Sequence, residues 1–469
     1  MEPPLLETHA PRWRSPSKGR SPIKSAVGLY QFSPQAIARP TTETEIVQII
    51  QQASQQGLKV RAMGALHSAV PLPATDGVCL ALDRYSQVLR VKGNQVTVQS
   101  GIRLWDLNDL LAEQGLALPI MGTIAQQSVA GAISTGTHGG SIHCTSLSGY
   151  VQAMRIVQAN GNVVEVKCTE SVFNATAIAL GTLGIISTVT LQCVPAFSLK
   201  TKVVSMPATA LIDAFDAINQ QNQFVDIRYS PITDQAHAAL INPSPVPLSE
   251  NQGLPSTQQA PWMQPLIENT NKLAQRLFLT HKFNRLQRWG IERYDQHIYN
   301  AVSGRSDFVL THFDVTSTDL LTNESRNNLD PVADMEVAVA YEQAGLAIAA
   351  LRDYFQSTQQ FPSMHIHLRT QAAEPFWLSP TCGEPICWIE FWEYPRTGKF
   401  FQTMLNVLGP FNPRGHWGKQ LPKLPAQQYE RWHDFITLRQ QWDPHGLFAN
   451  AYLDKIQPCP VGKLQSLPA

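Results

Sequence analysis

The chain has 469 residues, 43% hydrophobic and 15% charged, enough apolar material for a substantial core in two or three domains. Its 36 Lys+Arg balance 36 Asp+Glu, so no positive field favours a nucleic acid or an anionic membrane as partner. Seven cysteines, at positions 79, 144, 168, 193, 382, 387 and 459, make neither a disulfide framework nor a CxxC metal site, which points to a reducing compartment, read as the cytoplasm.

Residues 1–38 open with "MEPPLLETHAPRWRSPSKGRSPIKS", rich in Pro, Ser, Arg and Lys and without an apolar signal region, and read as a poorly ordered tail. No apolar run long enough to span a bilayer occurs, so no transmembrane helix is expected. "TTETEIVQIIQQASQQG" predicts a helix with a Thr cap, acidic first turn, one face of Ile46, Ile49, Ile50 and Ala53, and Gly57 at its end. "LKVRAMG" alternates as a strand and runs into the turn "ALHS". "GVCLALD", the hairpin "VLRVKGNQVTVQSG" and "VVEVKC" are further strands. "RLWDLNDLLAEQG" is an amphipathic helix, and "FNATAIALGTLGIISTVTLQCVP" reads as a helix passing through Gly184 into a strand.

Residues 39–195 therefore form one α+β unit, and a second, 196–425, begins at "AFSLKTKVVSM". Within it, residues 243–262 are Pro/Ser/Gln-rich and read as a long loop. The strands "MEVAVAY", "SMHIHLRT" and "ICWIEFWEY" follow, with the helix "QAGLAIAALRDYFQS" after the first. A helix in "AQQYERWHDFITLRQQW" and the tail "DPHGLFANAYLDKI" belong to a final segment, 426–469. GxGxxG, P-loop, HExxH and GxSxG motifs are absent, which argues against classical nicotinamide binding, P-loop phosphoryl transfer and zinc or serine hydrolysis.

Four stretches can carry chemistry. "VRAMGALHSAV" ends a strand in a turn presenting His67 and Ser68, although a lone His there is more often a satisfied hydrogen-bonding residue. "PIMGTIAQQSVAGAISTGTHGG", residues 119–140, concentrates glycine and small residues, which suits close backbone approach to a phosphate or flat ring but also fits a surface loop. Strand alternation puts His365, His367 and Arg369 on one face, and Glu390 on the face opposite Ile389 and Phe391. Polar groups in such apolar strands need partners, so they form a structural network or line a cavity. "NPRGHWGKQLP" projects two basic side chains, His416 and Lys419.

Together "GALHS", "SVAGAISTGTHG", "HWGK" and "DPHGLFAN", in this order, resemble the vanillyl-alcohol-oxidase superfamily of flavoenzymes, in its aldonolactone oxidase and alditol oxidase branch. The resemblance covers roughly residues 39–456. It implies a two-domain α+β FAD-binding fold, with residues 39–195 and the C-terminal segment holding FAD and a cap domain built on an antiparallel sheet. The cofactor contacts it implies are Gly64, Ala65, Leu66, His67, Ser68, Gly122, Thr123, Ser128, Gly131, Thr135, Gly136, Thr137, His138, Ile186 and His416. His67 matches the histidine covalently joined to the flavin in many members, while the family usually shows a second glycine where Ala65 or Leu66 stands.

On the substrate side, members carry Glu-x-Arg on one cap strand, a His on the next in alditol oxidases, and the Lys of "HWGK". Here the first strand reads His367-Leu368-Arg369 and the second carries Glu390, so Glu and His are exchanged. The expectation is a catalytic set of His367, Arg369, Glu390, Lys419 and Thr123, with His367 as base oriented by Glu390 and two otherwise unpaired cations stabilising charge. The implied reaction oxidises a CH–OH group of a sugar lactone or polyol, with molecular oxygen as acceptor and room for it left by Gly122. A dehydrogenase using a quinone or cytochrome, and a flavin-binding protein without catalysis, are the alternatives. No metal is implied.

Overall fold

A computed structural model of the chain describes residues 22–245, 308–311, 333–362, 365–393, 398–421 and 428–456. Regular structure is present before residue 39. Ile23–Lys24 pairs with Gln31–Phe32, and Ala36–Ala38 is strand β1, which corrects the tail assignment for residues 22–38; residues 1–21 lie outside the described residues. Helix α1 (Glu43–Gln55) is capped by Thr42, whose hydroxyl accepts the Glu45 N–H. Its Ile46, Ile49, Ile50 and Ala53 pack on β1, β2 (Val60–Met63) and β3 (Val78–Ala81), a parallel sheet in the order β1-β3-β2.

A second, antiparallel sheet comprises β4 (Val88–Lys92), β5 (Gln95–Gln99), β6 (Val151–Val157), β7 (Val163–Lys167) and β8 (Ile185–Gln192), in the order β7-β6-β8-β5-β4. Helices α2 (Leu104–Glu113) and α3 (Val129–Ser134) bury Leu107, Leu111, Val129 and Ile133 in its core. The helix expected from Phe173 shrinks to α4 (Phe173–Thr176). Leu180 and Gly181 adopt φ of 55° and 66°, a left-handed conformation in which a right-handed helix cannot continue. Their carbonyls are held there by the buried Arg61 guanidinium, which donates to Leu180, Gly181, Leu72 and Phe448.

The cap is one eight-stranded antiparallel sheet: β9 (Ser198–Pro207), β10 (Phe224–Ser230), β11 (Gln235–Ser244), β12 (Phe308–Thr311), β13 (Ala333–Ala340), β14 (Ile366–Gln371), β15 (Ile386–Glu393) and β16 (Arg414–Gly415). Their order is β12-β9-β11-β10-β14-β15-β13-β16. Pro243 and Ser244 end β11, so the loop read from residue 243 is corrected at its start, and residues 246–262 lie outside the described residues. Helices α5 (Ala208–Gln220), α6 (Ala344–Thr358) and α7 (Lys399–Leu408) cover one face of this sheet. There Phe215, Leu351, Phe355 and Phe401 meet Ile227, Leu368, Ile389 and Phe391, each fully buried side chain contributing about 1.5–3 kcal/mol.

The C-terminal segment packs on the first unit. Helix α8 (Trp432–Trp442) brings Trp432 and Phe435 into its core, the Val60 N–H donates to the Leu447 carbonyl at 2.8 Å, and Asn450 Nδ2 donates to Pro71, Leu72 and Ala74. Among the described residues no helix is long and apolar enough to cross a membrane.

Candidate active site

Two concavities lie beside the "STGTHGG" stretch. The first is an open groove in the first unit, lined by the turn after β2, the start of α3, and the approach to β8. It gathers Gly64, Ala65, Leu66, His67, Ser68, Ser128, Gly131, Thr135 and Ile186, all named from sequence. A Cβ on Gly64 would lie 2.1 Å from Ser128 Oγ, so a side chain there would displace the Ser128 hydroxyl where the turn and α3 meet. Ser128 caps no N–H of α3 and faces the groove instead. Leu66, directly before His67, is held at φ 61°, where its carbonyl accepts the Ala26 N–H at 2.9 Å. Backbone, hydroxyls and small side chains make a wall suited to a long, polar, partly flat cofactor.

The remaining residues matched to the cofactor are placed elsewhere. A Cβ on Gly122 would lie 2.7 Å from Thr137 Cγ2, so the room expected beside Gly122 is filled by Thr137. Gly136 turns the chain at φ 70° against Ile178. Thr123 lines the second concavity. His138 and His416 are buried under the cap sheet around Trp388, with the His138 and Trp388 rings stacked at 4.4 Å and 8°.

That sheet face explains the polar strand residues. Where one face is apolar under α5–α7, the other carries Asp226, Arg228, His367, Arg369, Trp388, Glu390, Asp334 and Glu336. In register, Arg228 opposes His367, His367 opposes Glu390, and Glu390 opposes Glu336. Two carboxylates directly opposite one another repel unless cations intervene. Arg369 Nη2 lies 2.5 Å from Glu336 Oε1 and 3.7 Å from Glu390 Oε2, while Lys419 Nζ donates to Glu390 Oε1 at 2.7 Å and also to Asp334. Both cations are paired, which corrects the expectation of unpaired charges.

His367 is corrected too. Its Nε2 lies 2.7 Å from Asp226 Oδ2 and its Nδ1 3.1 Å from Glu390 Oε2. Carboxylates only accept, so both ring nitrogens donate and the ring is an imidazolium. Burial by itself lowers its pKa, but the Asp226 charge, with the hydrogen bonds to Asp226 and Glu390, outweighs this and holds it above the usual value. Burial opposes the ionised acids as well, yet His367 holds Asp226 well below its ordinary range, Lys419 does so for Glu390, and Arg369 for Glu336. Asp226, Asp334, Glu336 and Glu390 are then balanced by Arg228, Arg369, Lys419 and protonated His367. A ring with both nitrogens engaged cannot serve as the free base expected from the sequence.

His416 also departs from expectation. Burial pushes its pKa down to about 3, so it is neutral rather than a second basic group, and its Nδ1 accepts the Gly418 N–H at 3.0 Å. Burial likewise lowers the pKa of His138, whose Nδ1–H donates to the Gly139 carbonyl at 2.8 Å. Possible ligand atoms of His138, Glu336 and His416 lie within 4.8 Å of one another, but the lone pair at His416 Nδ1 and the charge of Glu336 are already engaged by Gly418 and Arg369.

Asp226, Asp334 and Glu336 were not singled out by sequence reasoning. For Glu336 and Asp334 a signal existed: two acids at alternate positions in "ADMEVAVA", a strand otherwise apolar. The loop after His138 ties the two units together. The Gly140 carbonyl accepts the Val225 N–H at 2.7 Å, and the Ser141 N–H donates to the Thr370 carbonyl at 2.8 Å, so it enters between β10 and β14.

With this geometry in hand, comparison with known proteins is informative. Residues 34–167 match an FAD-binding domain, and residues 189–456 match the D-arabinono-1,4-lactone oxidase family. The chain is 27% identical to an L-gulonolactone oxidase of Scyliorhinus torazame over 91% of this chain and 96% of that one. It is 26% identical to an L-gulono-1,4-lactone dehydrogenase of Mycobacterium tuberculosis over 90% and 96%. It is 34% identical to a D-arabinono-1,4-lactone oxidase of Kluyveromyces lactis over 45% and 42%. Among solved structures, a solvent-stable cholesterol oxidase superposes with a TM-score of 0.75 at 16% identity, over 95% of this chain and 98% of that one, a likeness of fold. The chain belongs to the D-arabinono-1,4-lactone oxidase family of FAD-dependent oxidoreductases.

Proposed function

We propose that the protein oxidises a CH–OH group of a sugar-derived aldonolactone and passes the electrons to molecular oxygen, giving hydrogen peroxide. The observation that carries this reading is the charge-balanced face of the cap sheet, joined through His138–Ser141 to the cofactor groove. The lactone-acting relatives named above support the substrate class. Bound FAD supplies the redox chemistry by accepting hydride at its flavin ring. The chain supplies position and charge. Arg369 and Lys419, fixed by Glu336, Glu390 and Asp334, stabilise negative charge developing on the substrate oxygen without reorganising. The hydroxyl proton passes to solvent, because His367 already donates from both ring nitrogens.

His67, in the groove wall, carries the flavin covalently in this reading. Six described cysteines are free thiols, in keeping with a cytoplasmic setting. The dehydrogenase alternative has the M. tuberculosis relative in its favour and, with Thr137 filling the space beside Gly122, gains from the loss of that argument for oxygen access. Peroxide formation with a panel of aldonolactones and open-chain polyols decides. Lactone-dependent peroxide supports the reading, and turnover only with a quinone or cytochrome replaces it with the dehydrogenase.

A further inference from the structure

The second concavity lies between the units and shares no lining residue with the first groove. Its walls are mainly apolar, with Ile120, Met121, Phe224 and Ile241 prominent, and the charged side chains among them are Asp226 and Arg369. The strands carrying these two pair at Ile227 and Leu368, so Asp226 and Arg369 stand one position further along, side by side at the mouth of the pairing.

Two observations point to a ligand there. The Asp226 side chain is 29% exposed, against 4% for Glu390 and 1% for Glu336, so Asp226 is the carboxylate of the network that a molecule in the cavity can touch. The Nε–H of Arg369, in a residue 6% exposed, has no hydrogen-bond partner among the described residues. A buried cationic donor is costly to leave unmade. The cavity thus offers one charged acceptor and one unused charged donor in an apolar shell. The surrounding charges are already balanced, so a neutral ligand adds no net charge while an anion adds one without a partner.

We propose that Asp226 and Arg369 Nε–H form the recognition pair for substrate: Asp226 accepts a hydrogen bond from a hydroxyl, Arg369 donates to the lactone carbonyl or ring oxygen, and the pair selects the neutral lactone over its hydrolysed, anionic acid. This rests on the lactone reading above. Asp226 is a specificity-determining residue, absent from the set expected from sequence.

The test uses the FAD-loaded full chain as wild type, Asp226→Asn and Asp226→Ser, so that one folded variant suffices. Steady-state kcat and KM are measured with the best aldonolactone, and inhibition by the corresponding open-chain acid is measured in parallel. FAD content and melting temperature report folding. The expected result is a KM raised about 10- to 100-fold, as for loss of a hydrogen bond to a charged group, exceeding any fall in kcat. The acid, a poor inhibitor of wild type, binds the variants relatively better. A folded variant with unchanged KM and unchanged inhibition by the acid overturns the proposal, as does a loss confined to kcat. A wild type that oxidises none of the lactones overturns the substrate reading, and the recognition pair falls with it.

Discussion

The groove of the first unit and the cleft under the cap sheet present polar groups by opposite means. The groove is walled by backbone, hydroxyls and small side chains from three short stretches, with glycine where two loops must touch. The cap face carries charged side chains from β10, β13, β14, β15 and the turn holding Lys419, of which Asp226 and Arg369 reach the largely apolar second concavity. Backbone dipoles stay in place whatever the pH, whereas four carboxylates and four cations hold their geometry only while every charge is matched. Substitutions in the groove are therefore expected to act on cofactor retention, and substitutions in the cleft on rate, pH response and folding together.

The largest effect is expected from Arg369→Ala. It leaves Glu336 buried at 1% exposure without its closest cation, which costs about 3–5 kcal/mol of stability. It also lowers the rate of flavin reduction about 10³-fold, read by rapid-mixing absorbance alongside denaturant unfolding. Equal reduction rates would place Arg369 outside the chemistry. Lys419→Met comes next, with a loss on the order of 10² in reduction rate and FAD retained, because Asp334 is 17% exposed, against 1% for Glu336, and tolerates the loss better.

The double exchange His367→Glu with Glu390→His sharpens the comparison. If only the pair mattered, trading places would restore activity, but Asp226 lies 2.7 Å from His367. A second carboxylate at position 367 would face Asp226 directly, so the exchange is expected to recover none of the activity lost by either single change. Recovery would mean that Asp226 is a bystander.

A smaller effect concerns pH. The raised pKa of His367 means that its contribution is fully present below the ordinary histidine value of about 6.5 and is lost as pH rises through the folded-state value. Asp226, Arg228, Glu390 and Arg369 face the ring, with Glu336 and Lys419 behind them. Melting temperature and lactone affinity should fall together on the alkaline side, several-fold in KM, and Glu390→Gln should move that fall to lower pH. In the groove, the smallest change is expected from Leu66→Gly, which removes the strain of φ 61°. A gain of about 1 kcal/mol, seen as a raised melting temperature, would accompany a slower attachment of flavin to His67. An unchanged melting temperature would show that Leu66 is unstrained.

How much of this was legible follows from the same contrast. The groove is written in contiguous runs, "MGALHS" and "SVAGAISTGTHG", where residue type and neighbour are fixed together, and eight of the residues named from them line it. The strands of the cap were legible from alternation, and so was the facing of His367, Arg369 and Glu390. The charge state of His367 was not, because it depends on Asp226, 141 positions away in sequence and adjacent only through strand pairing. His416 read as basic because composition carries no burial. The helix after Phe173 failed because Arg61, far upstream, holds Leu180 and Gly181 in a turn that local propensity does not foresee. Pairing across a sheet is the information a single strand lacks.

The most direct measurement is anaerobic mixing of the FAD-loaded protein with a single aldonolactone, following flavin absorbance in wild type and Arg369→Ala. The account predicts complete, saturable bleaching in wild type, with the variant holding its FAD yet slower by about 10³-fold. A flavin that stays oxidised with every lactone, or that bleaches at the same rate in both proteins, would contradict it.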